Sequence, residues 1–589
     1  MSDTTTSYTK TELVELHVKS DGHLHTTNDG QGSEKLSRSE KDQESEKDLI
    51  QTSHEYAEAR NSPNLGKASE QDTIQYVTGA KLVSIVVSIC LAAFLMLLDT
   101  SIVSTAIPAI SDEFHSLQDI GWYSAAYNLG SASLQPLTGK IYNCFSLKWT
   151  FITFFAIFEI GSALCGAAQS SNMLIVGRAV AGAGASGLLS GSIIIISCCV
   201  PLHRRPPLIG LVQGVAQLGT VIAPLIGGAF TSGYTWRWSF YINLPIGAIV
   251  AIPILTLHIP DQMGKQPALK VLSKIHHHLD LIGFALLAPA VIQLLLALEY
   301  GGNQFAWNSS QVIGLFIGAF ATLAVWVLWN NYKGDDGLLP FSIMRRRVVW
   351  SSALNYSFQM STLFGTSYWL PIYFQAIKGV SAILSGVYLL PTILGQLVFA
   401  VLAGVLVSRV GYIPPFSIYA GVLMSIGCGL FSLLRPDTAT GKWVGFQIIA
   451  SCGRGAGLQM PIVAVQNAVS QKDLSPAMAF LLWAQYIGPT IFLTLYNTIF
   501  NASLKSLLPK QAPNVDVQAV LSAGARHFRD VVDPRDLPNV LIAYSDSLDR
   551  VFYLVASAGV GAFIAAWGMG WQDTRKNVKE INQAKNDEP

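Results

Sequence analysis

Apolar residues in this chain come in long, nearly unbroken runs, not in short alternations. Residues 1 to 78 are polar, and after them fourteen runs follow, centred near residues 95, 131, 158, 186, 218, 248, 289, 320, 360, 395, 422, 456, 487 and 560. A run of about 20 residues at about 1.5 Å per residue matches the hydrocarbon thickness of a bilayer. Inside lipid the backbone must satisfy its own polar groups, so each run is predicted to be a helix. The expected fold is an all-α membrane protein with 14 transmembrane helices.

The polar positions between the runs set domains and orientation. Residues 1–78, rich in Ser, Thr, Glu, Lys and Asp, are expected to be a disordered cytoplasmic tail. Residues 79–260 then form an N-terminal six-helix bundle, and 261–344 an inner loop with two additional helices. Residues 345–500 carry helices nine to thirteen, 501–548 an extracellular loop, 549–571 the fourteenth helix and 572–589 a second cytoplasmic tail. With both termini inside, the inner loops hold Lys140, Lys148, His203-Arg204-Arg205, the Lys265–His278 segment, Arg345-Arg346-Arg347, Arg409 and Lys472, the positive-inside pattern. The outer loops hold glycosylation sequons at Asn308 and Asn501; a third, at Asn355, falls inside a predicted helix.

A weak repeat connects the halves. Gly139-Lys140-Ile141-Tyr142 is echoed by the Gly404–Gly411 stretch, Gly177-Arg178 by Gly453-Arg454, and Ala216-Gln217-Leu218-Gly219 by Ala484-Gln485-Tyr486-Ile487-Gly488. Each pair lies eight helices apart, the offset that two six-helix halves produce when two extra helices separate them.

Composition agrees. The 589 residues are 51% hydrophobic and 13% charged, with net charge +1. A soluble domain has about a quarter of its residues charged, and so small a net charge gives no attraction to nucleic acid. The seven cysteines lie in or beside apolar runs without metal spacing and read as small packing residues. No cleavable signal peptide opens the chain, so the first membrane helix is expected to direct insertion. The absence of a P-loop argues against ATP drive, and neither H-E-x-x-H nor G-x-S-x-G is present, so no enzyme is expected. His276-His277-His278 falls in an inner loop, where solvation accounts for it.

An ionised side chain costs about 2.5–3.5 kcal/mol at the bilayer centre on insertion scales, so each one needs a reason. Asp99 lies in L-M-L-L-D-T-S-I-V-S-T-A-I-P and Arg178 in L-I-V-G-R-A-V-A-G-A-G-A-S-G. By helix rise they sit about 14 Å and about 8 Å below the outer ends of their helices, close enough in depth to interact across a cavity. A static pair is one reading; a carboxylate that gains and loses a proton as its surroundings change is the other. Glu159, near mid-helix in the third run, is either satisfied locally or a second proton site, and Arg454 is the repeat partner of Arg178. Tyr123, Tyr127, Tyr356 and Tyr373, with Gln135, Gln217, Gln359, Gln459 and Gln485, are candidates to line a substrate cavity.

Gly214–Gly247 carries small residues at Gly219, Ala223, Gly227 and Gly228, with Pro224 between them, a surface on which another helix can lie. Its G-T-V-I-A-P-L-I-G-G resembles the antiporter motif of major facilitator superfamily drug exporters, with Ala223 in place of a glycine. W-R-W-S-F-Y-I-N-L-P-I-G, L-D-T-S-I-V-S-T-A-I-P and the Arg178 segment resemble the fourteen-helix drug/proton antiporters of that superfamily, the fungal toxin and multidrug efflux group above all. Gly139, Lys140, Asn143 and Lys148 occupy the place of the inner gate motif, but Asn143 and Cys144 replace its Asp-Arg pair, which puts a charge-based latch in doubt.

The resemblance implies proton-coupling roles for Asp99 and Arg178 and a sealing role for the fifth helix. It implies a proton-coupled efflux transporter that exports an amphipathic mycotoxin, secondary metabolite or drug by alternating access. Uptake, as of a siderophore, and a non-transporting receptor of the same fold are the alternatives. The coupling ion would be the proton, with no other cofactor and no metal. The expected partners are a small-molecule substrate and the lipid bilayer, with no nucleic acid. The expected form is a monomer in the plasma membrane, or else in the vacuolar one.

Overall fold

The computed structural model describes residues 76–114, 120–261, 265, 279–302, 305–470, 472–517, 519–520, 528–529 and 531–573. The N-terminal tail, the His276–His278 run and residues 574–589 lie outside these.

The long helices are α1 (Gly79–Phe114), α2 (Ile120–Cys144), α3 (Leu147–Gly166), α4 (Ser171–Cys199), α5 (Arg205–Gly233), α6 (Asn243–Thr256) and α7 (Leu281–Tyr300). They continue as α8 (Ser310–Lys333), α9 (Arg347–Ile372), α10 (Leu390–Val410), α11 (Pro414–Leu430), α12 (Thr440–Gly457), α13 (Leu474–Gln511) and α14 (Leu537–Ala566). Their starts use local chemistry: Ser170, Asp280 and Ser309 each accept a hydrogen bond from the backbone N–H three residues on. Gly411 ends α10 at φ +87°, a left-handed turn that a Cβ would strain. α12 breaks at Leu458-Gln459 and resumes over Met460–Ala468.

Among the described residues, 12 helical stretches are long and apolar enough to cross a membrane. Of the fourteen expected runs, α2 and α9 fall short on apolarity, because each carries hydroxyl and amide side chains that it turns inward. Ser131, Gln135 and Thr138 on α2 are buried, as are Ser352, Asn355 and Gln359 on α9.

The expected outer loop is helical at both ends. α13 runs on to Gln511 and α14 begins at Leu537, not near residue 549. Polar lysines and aspartates in these stretches suggest a loop, but every fourth residue is apolar. Tyr496, Phe500, Leu504 and Leu508 make a buried stripe, and Phe528 stacks on Tyr544 with ring centroids 4.8 Å apart. The result is a packed outer cap on the second half.

Helix pairing repeats with the expected offset of eight. In the first half α1 packs on α5 and α6, and α4 packs on α2 and α3. In the second α9 packs on α13 and α14, and α12 on α10 and α11. Close approach depends on small residues: a Cβ on Gly219 would strike the α1 backbone at Phe94 and Leu98, and one on Gly455 the α10 backbone at Gln396. The halves meet along two seams, α5 against α10 and α2 against α13. Helices five and thirteen thus both seal, each against a partner in the other half. The extra helix α7 lies over the second seam, where Leu287, Val291 and Leu295 join Trp326 of α8 and Trp483 and Ile487 of α13. α8 exposes Ile317, Phe320 and Leu328, as a lipid-facing helix does.

Candidate functional site

A knot of buried polar groups surrounds Asp99 on α1. Small residues of α4 let its neighbours close in; a Cβ on Gly182 would strike the carbonyl of Tyr127 on α2. This brings Arg178 against α1 and α2 together. Its Nη1 lies 2.5 Å from Asp99 Oδ2, and both side chains are 0% exposed. Arg178 Nε donates to the Tyr123 carbonyl at 2.8 Å, and Nη1 to the Asp99 carbonyl at 3.4 Å. The guanidinium stacks over the Tyr127 ring at 4.5 Å and stands 5.9 Å from Phe240. From α6, Asn243 Nδ2 donates to Asp99 Oδ1 at 3.0 Å and to Ser162 Oγ of α3 at 3.0 Å. A buried ion pair survives only with such additional hydrogen bonds, because desolvation of two charges exceeds their attraction in a poor geometry.

Asp99 and Arg178 therefore meet as expected, but inside the first bundle and not across a cavity between bundles. Glu159 borders the knot, one turn from Ser162 on α3, without bonding to it. Its carboxylate lies against Gly247 of α6, and neither buried oxygen has a hydrogen-bond partner. Sequence reasoning overlooked Asn243 and Ser162. The signal was present, since an asparagine in N-L-P-I-G interrupts an otherwise apolar run and calls for a partner.

The antiporter segment works mainly within its own half. Gly219 receives α1 next to Asp99, Ala223 is buried, and a Cβ on Gly228 would meet nothing within 4 Å. Gly227 is buried; the side chain of Pro224 lies outside the described residues. Of the aromatic belt, Trp238 is 47% exposed, but Trp236 is buried and donates to Glu113 at 2.7 Å. Arg237 pairs with the same carboxylate at 2.8 Å. That contact holds the Glu113 carboxyl below its ordinary range.

The cavity candidates do not converge on one wall. Tyr123 donates to Ser171 at 3.0 Å and Tyr127 to the Met96 carbonyl at 3.4 Å. Gln135 donates to Ser190 at 2.6 Å, within the first half. Tyr373 donates to the Arg435 carbonyl at 2.9 Å in the outer cap. Tyr356 accepts a hydrogen bond from Gln213 of α5 at 3.0 Å, across the first seam. Gln459 donates to the Ala400 carbonyl at 2.8 Å beside that seam, and Gln359 to Asn355 at 2.5 Å. Gln217 and Gln485 are half-buried on α5 and α13.

At the inner gate, lysines on carbonyls stand where an acid–arginine pair was missing. Lys148 donates to Leu255 and Leu257 at the end of α6, at 2.6 and 3.0 Å. Lys265 donates to Tyr142 and Asn143 at the end of α2, at 3.0 and 2.7 Å. Lys140 donates to the Asp336 carbonyl at 3.2 Å. Helix C-termini attract cations by their unsatisfied carbonyls. A Cβ on Gly139 would press on Ser475, Pro476 and Ala479 of α13, so the inner ends of this seam are closed. Of the sequons, Asn308 is exposed between α7 and α8, whereas Asn501 lies within α13 and donates to Asn497 at 3.3 Å. The described residues contain no His, Cys, Asp and Glu cluster able to hold a metal.

Known proteins resemble the chain over most of its length. The family profile described as Major Facilitator Superfamily matches residues 89–493. The MFS-type transporter pigP of Monascus ruber is 54% identical over 506 residues, 86% of this chain and 89% of that protein. The efflux pump mlcE of Penicillium citrinum is 47% identical over 520 residues, 86% of this chain and 94% of that protein. Among solved structures, the proton:xylose symporter XylE superposes with TM-score 0.54 at 16% identity, covering 84% of this chain and 98% of that one, a likeness of fold.

Proposed function

The chain belongs to the Major Facilitator Superfamily, and from that premise we propose that it is a multi-pass efflux transporter that expels an amphipathic small molecule from a fungal cell in exchange for protons. Family and fold point to transport, not to an enzyme. Relatives such as the efflux pump mlcE support the outward direction. In this reading α2 and α9 also cross the membrane, giving fourteen spans, and the plasma membrane is the site of action.

The observation that carries proton coupling is the sealed Asp99–Arg178 pair. Asp99 gathers contacts from α4 and, through Asn243, from α6 and α3. A proton on Asp99 would cancel the attraction to Arg178 and release α1 from α4. Because the pair is fully buried, proton exchange requires these helices to part, which ties protonation to rearrangement of the first half against the second. Substrate release on one face and proton release on the other then follow from alternating access along the α5–α10 and α2–α13 seams.

The test is efflux from vesicles under an imposed pH gradient, with wild type and Asp99→Asn. Wild-type transport should rise with the gradient, and Asp99→Asn should lose the gradient response at least tenfold. Active transport indifferent to both the gradient and the substitution ends the coupling proposal; accumulation in the opposite direction ends the efflux one.

A further inference from the structure

The two halves repeat in helix pairing but differ in charge. Arg454 on α12 stands where Arg178 stands on α4, and like Arg178 it is almost wholly buried, at 1% exposure. Arg178 has Asp99. Among the described residues Arg454 forms no ion pair, and helices α9 to α13 contain no aspartate or glutamate. Asp546 and Asp549 of α14 lie in the outer cap, paired with Arg435 at 2.8 and 2.9 Å. Arg454 Nε and Nη2 are buried without a hydrogen-bond partner. An uncompensated cation at this depth is costly, and a counter-charge brought from outside the bundle would relieve the cost.

The surroundings suit such a visitor. A Cβ on Gly457, one turn beyond Arg454, would lie 2.9 Å from Gln359 Oε1 of α9, and Gln396 lies on the α10 stretch against Gly455. Gln359 Oε1, Gln396 Nε2 and Gln459 Oε1 are buried and unpartnered as well. Gln459 Nε2 stands 3.3 Å from the Cβ position of Gly210 on α5, so this polar group reaches the seam between the halves. Tyr356, one turn from Gln359, is bonded across that seam by Gln213 at 3.0 Å. Parting of α5 from α10 would therefore open a way toward Arg454.

We propose that Arg454 is the anchor for the exported molecule, and that this molecule carries a carboxylate: the first half keeps its own acid for the proton, and the second leaves its arginine free for a substrate acid. The inference rests on the efflux reading and narrows it to acidic amphipathic substrates. A planar guanidinium fork matches a carboxylate with two parallel hydrogen bonds, which an ester cannot accept with the same strength. Amide side chains on α9 and α10 supply further hydrogen bonds, and the apolar remainder of the molecule lies along the seam.

The test needs no gradient, so it is separable from the test of coupling. Thermal unfolding of the purified full chain at pH 7.5 is followed with 1-pyrenebutyric acid, with its methyl ester, and with chloride replacing gluconate in the buffer. For wild type, the acid should raise the midpoint at a concentration at least tenfold lower than the ester. In Arg454→Met the difference between acid and ester should vanish, while the midpoint without ligand stays equal or rises, since a buried unpaired charge has been removed. Arg454→Lys should retain the preference for the acid but at least threefold weaker. Equal action of acid and ester on wild type overturns the proposal, as does an undiminished preference in Arg454→Met, or in Arg454→Lys should the methionine variant not fold. Stabilisation by chloride equal to that by the acid would identify a resident inorganic counter-ion and overturn it too.

Discussion

Asp99 is held by a cation on one oxygen and a neutral amide on the other, and the two contacts have separable consequences. Asn243 touches Asp99 and Ser162 but is itself uncharged. Removing it with Asn243→Ala leaves Asp99 Oδ1 without that donor, a loss of about 1.5–3 kcal/mol for a hydrogen bond to a charged group. The variant should therefore unfold at a lower temperature in detergent yet keep a gradient-dependent efflux, because the Asp99–Arg178 pair persists. If its stability is unchanged while transport is lost as fully as in Asp99→Asn, Asn243 is not a positioning residue. At this scale the sequence was informative about charges and poor about neutral partners. Asp99, Arg178 and Arg454 stood out because each is an ionised group in an apolar run. Asn243 and Ser162 did not, because asparagine and serine are common in membrane helices and only their neighbours give them a role. The tyrosine and glutamine candidates divided, with Tyr356, Gln359 and Gln459 near the α5–α10 seam and the others elsewhere, for the same reason: a helical run tells which residues share a face, not which partner each face meets.

Helices show the opposite balance. Run lengths anticipated nearly every helix, and the echoes anticipated the offset of eight at which the pairing of α4 with α2 and α3 recurs as that of α12 with α10 and α11. What the runs missed was helix outside the lipid, where α13 and α14 continue as an amphipathic pair that packs over its own apolar stripe. They also did not say which helices of the other half α5 and α13 meet. That depends on residues lacking side chains. A Cβ on Gly404 of α10 would strike the backbone of Pro206 and Pro207 at the start of α5, and neither segment can yield without moving a helix. Gly404→Val should hold the inner ends of this seam apart while leaving each half folded. Efflux should fall at least tenfold, and a cysteine replacing Gln466, which is 6% exposed near the inner end of the α12 continuation, should become reactive toward an impermeant maleimide from the inner face. Unchanged labelling together with normal efflux would mean that this close approach plays no part in the cycle.

For the molecule as a whole, the two seams are unequal. α7 and α8 cover the α2–α13 seam with a wall of leucines and tryptophans, whereas among the described residues neither extra helix packs closely on α5 or α10. If Arg454 anchors the substrate as proposed, the α5–α10 seam, on the side where Gln459 meets Gly210, is the route to lipid that the extra helices leave uncovered. The direction of export depends on orientation: the lysine-bearing ends of α2 and α3 must face the cytoplasm, and the turn between α7 and α8 must face outward. Orientation is checked by sequon use. Asn308 is exposed in that outer turn, and glycan transfer requires an accessible, unstructured acceptor. Asn501 belongs to a helix and its amide is engaged with Asn497, while Asn355 is buried and donates to the Ala562 carbonyl at 2.6 Å. Expression in a glycosylating host should therefore give one endoglycosidase-sensitive species that disappears in Asn308→Gln and persists in Asn501→Gln. Because an even number of spans keeps both ends on one side, tags at either terminus should then be protected from protease in intact cells. A glycan at Asn501 alone would place the α13 extension in an unfolded state during insertion. A tag accessible at only one terminus would require an odd number of crossings, and with it a different assignment of α2 or α9.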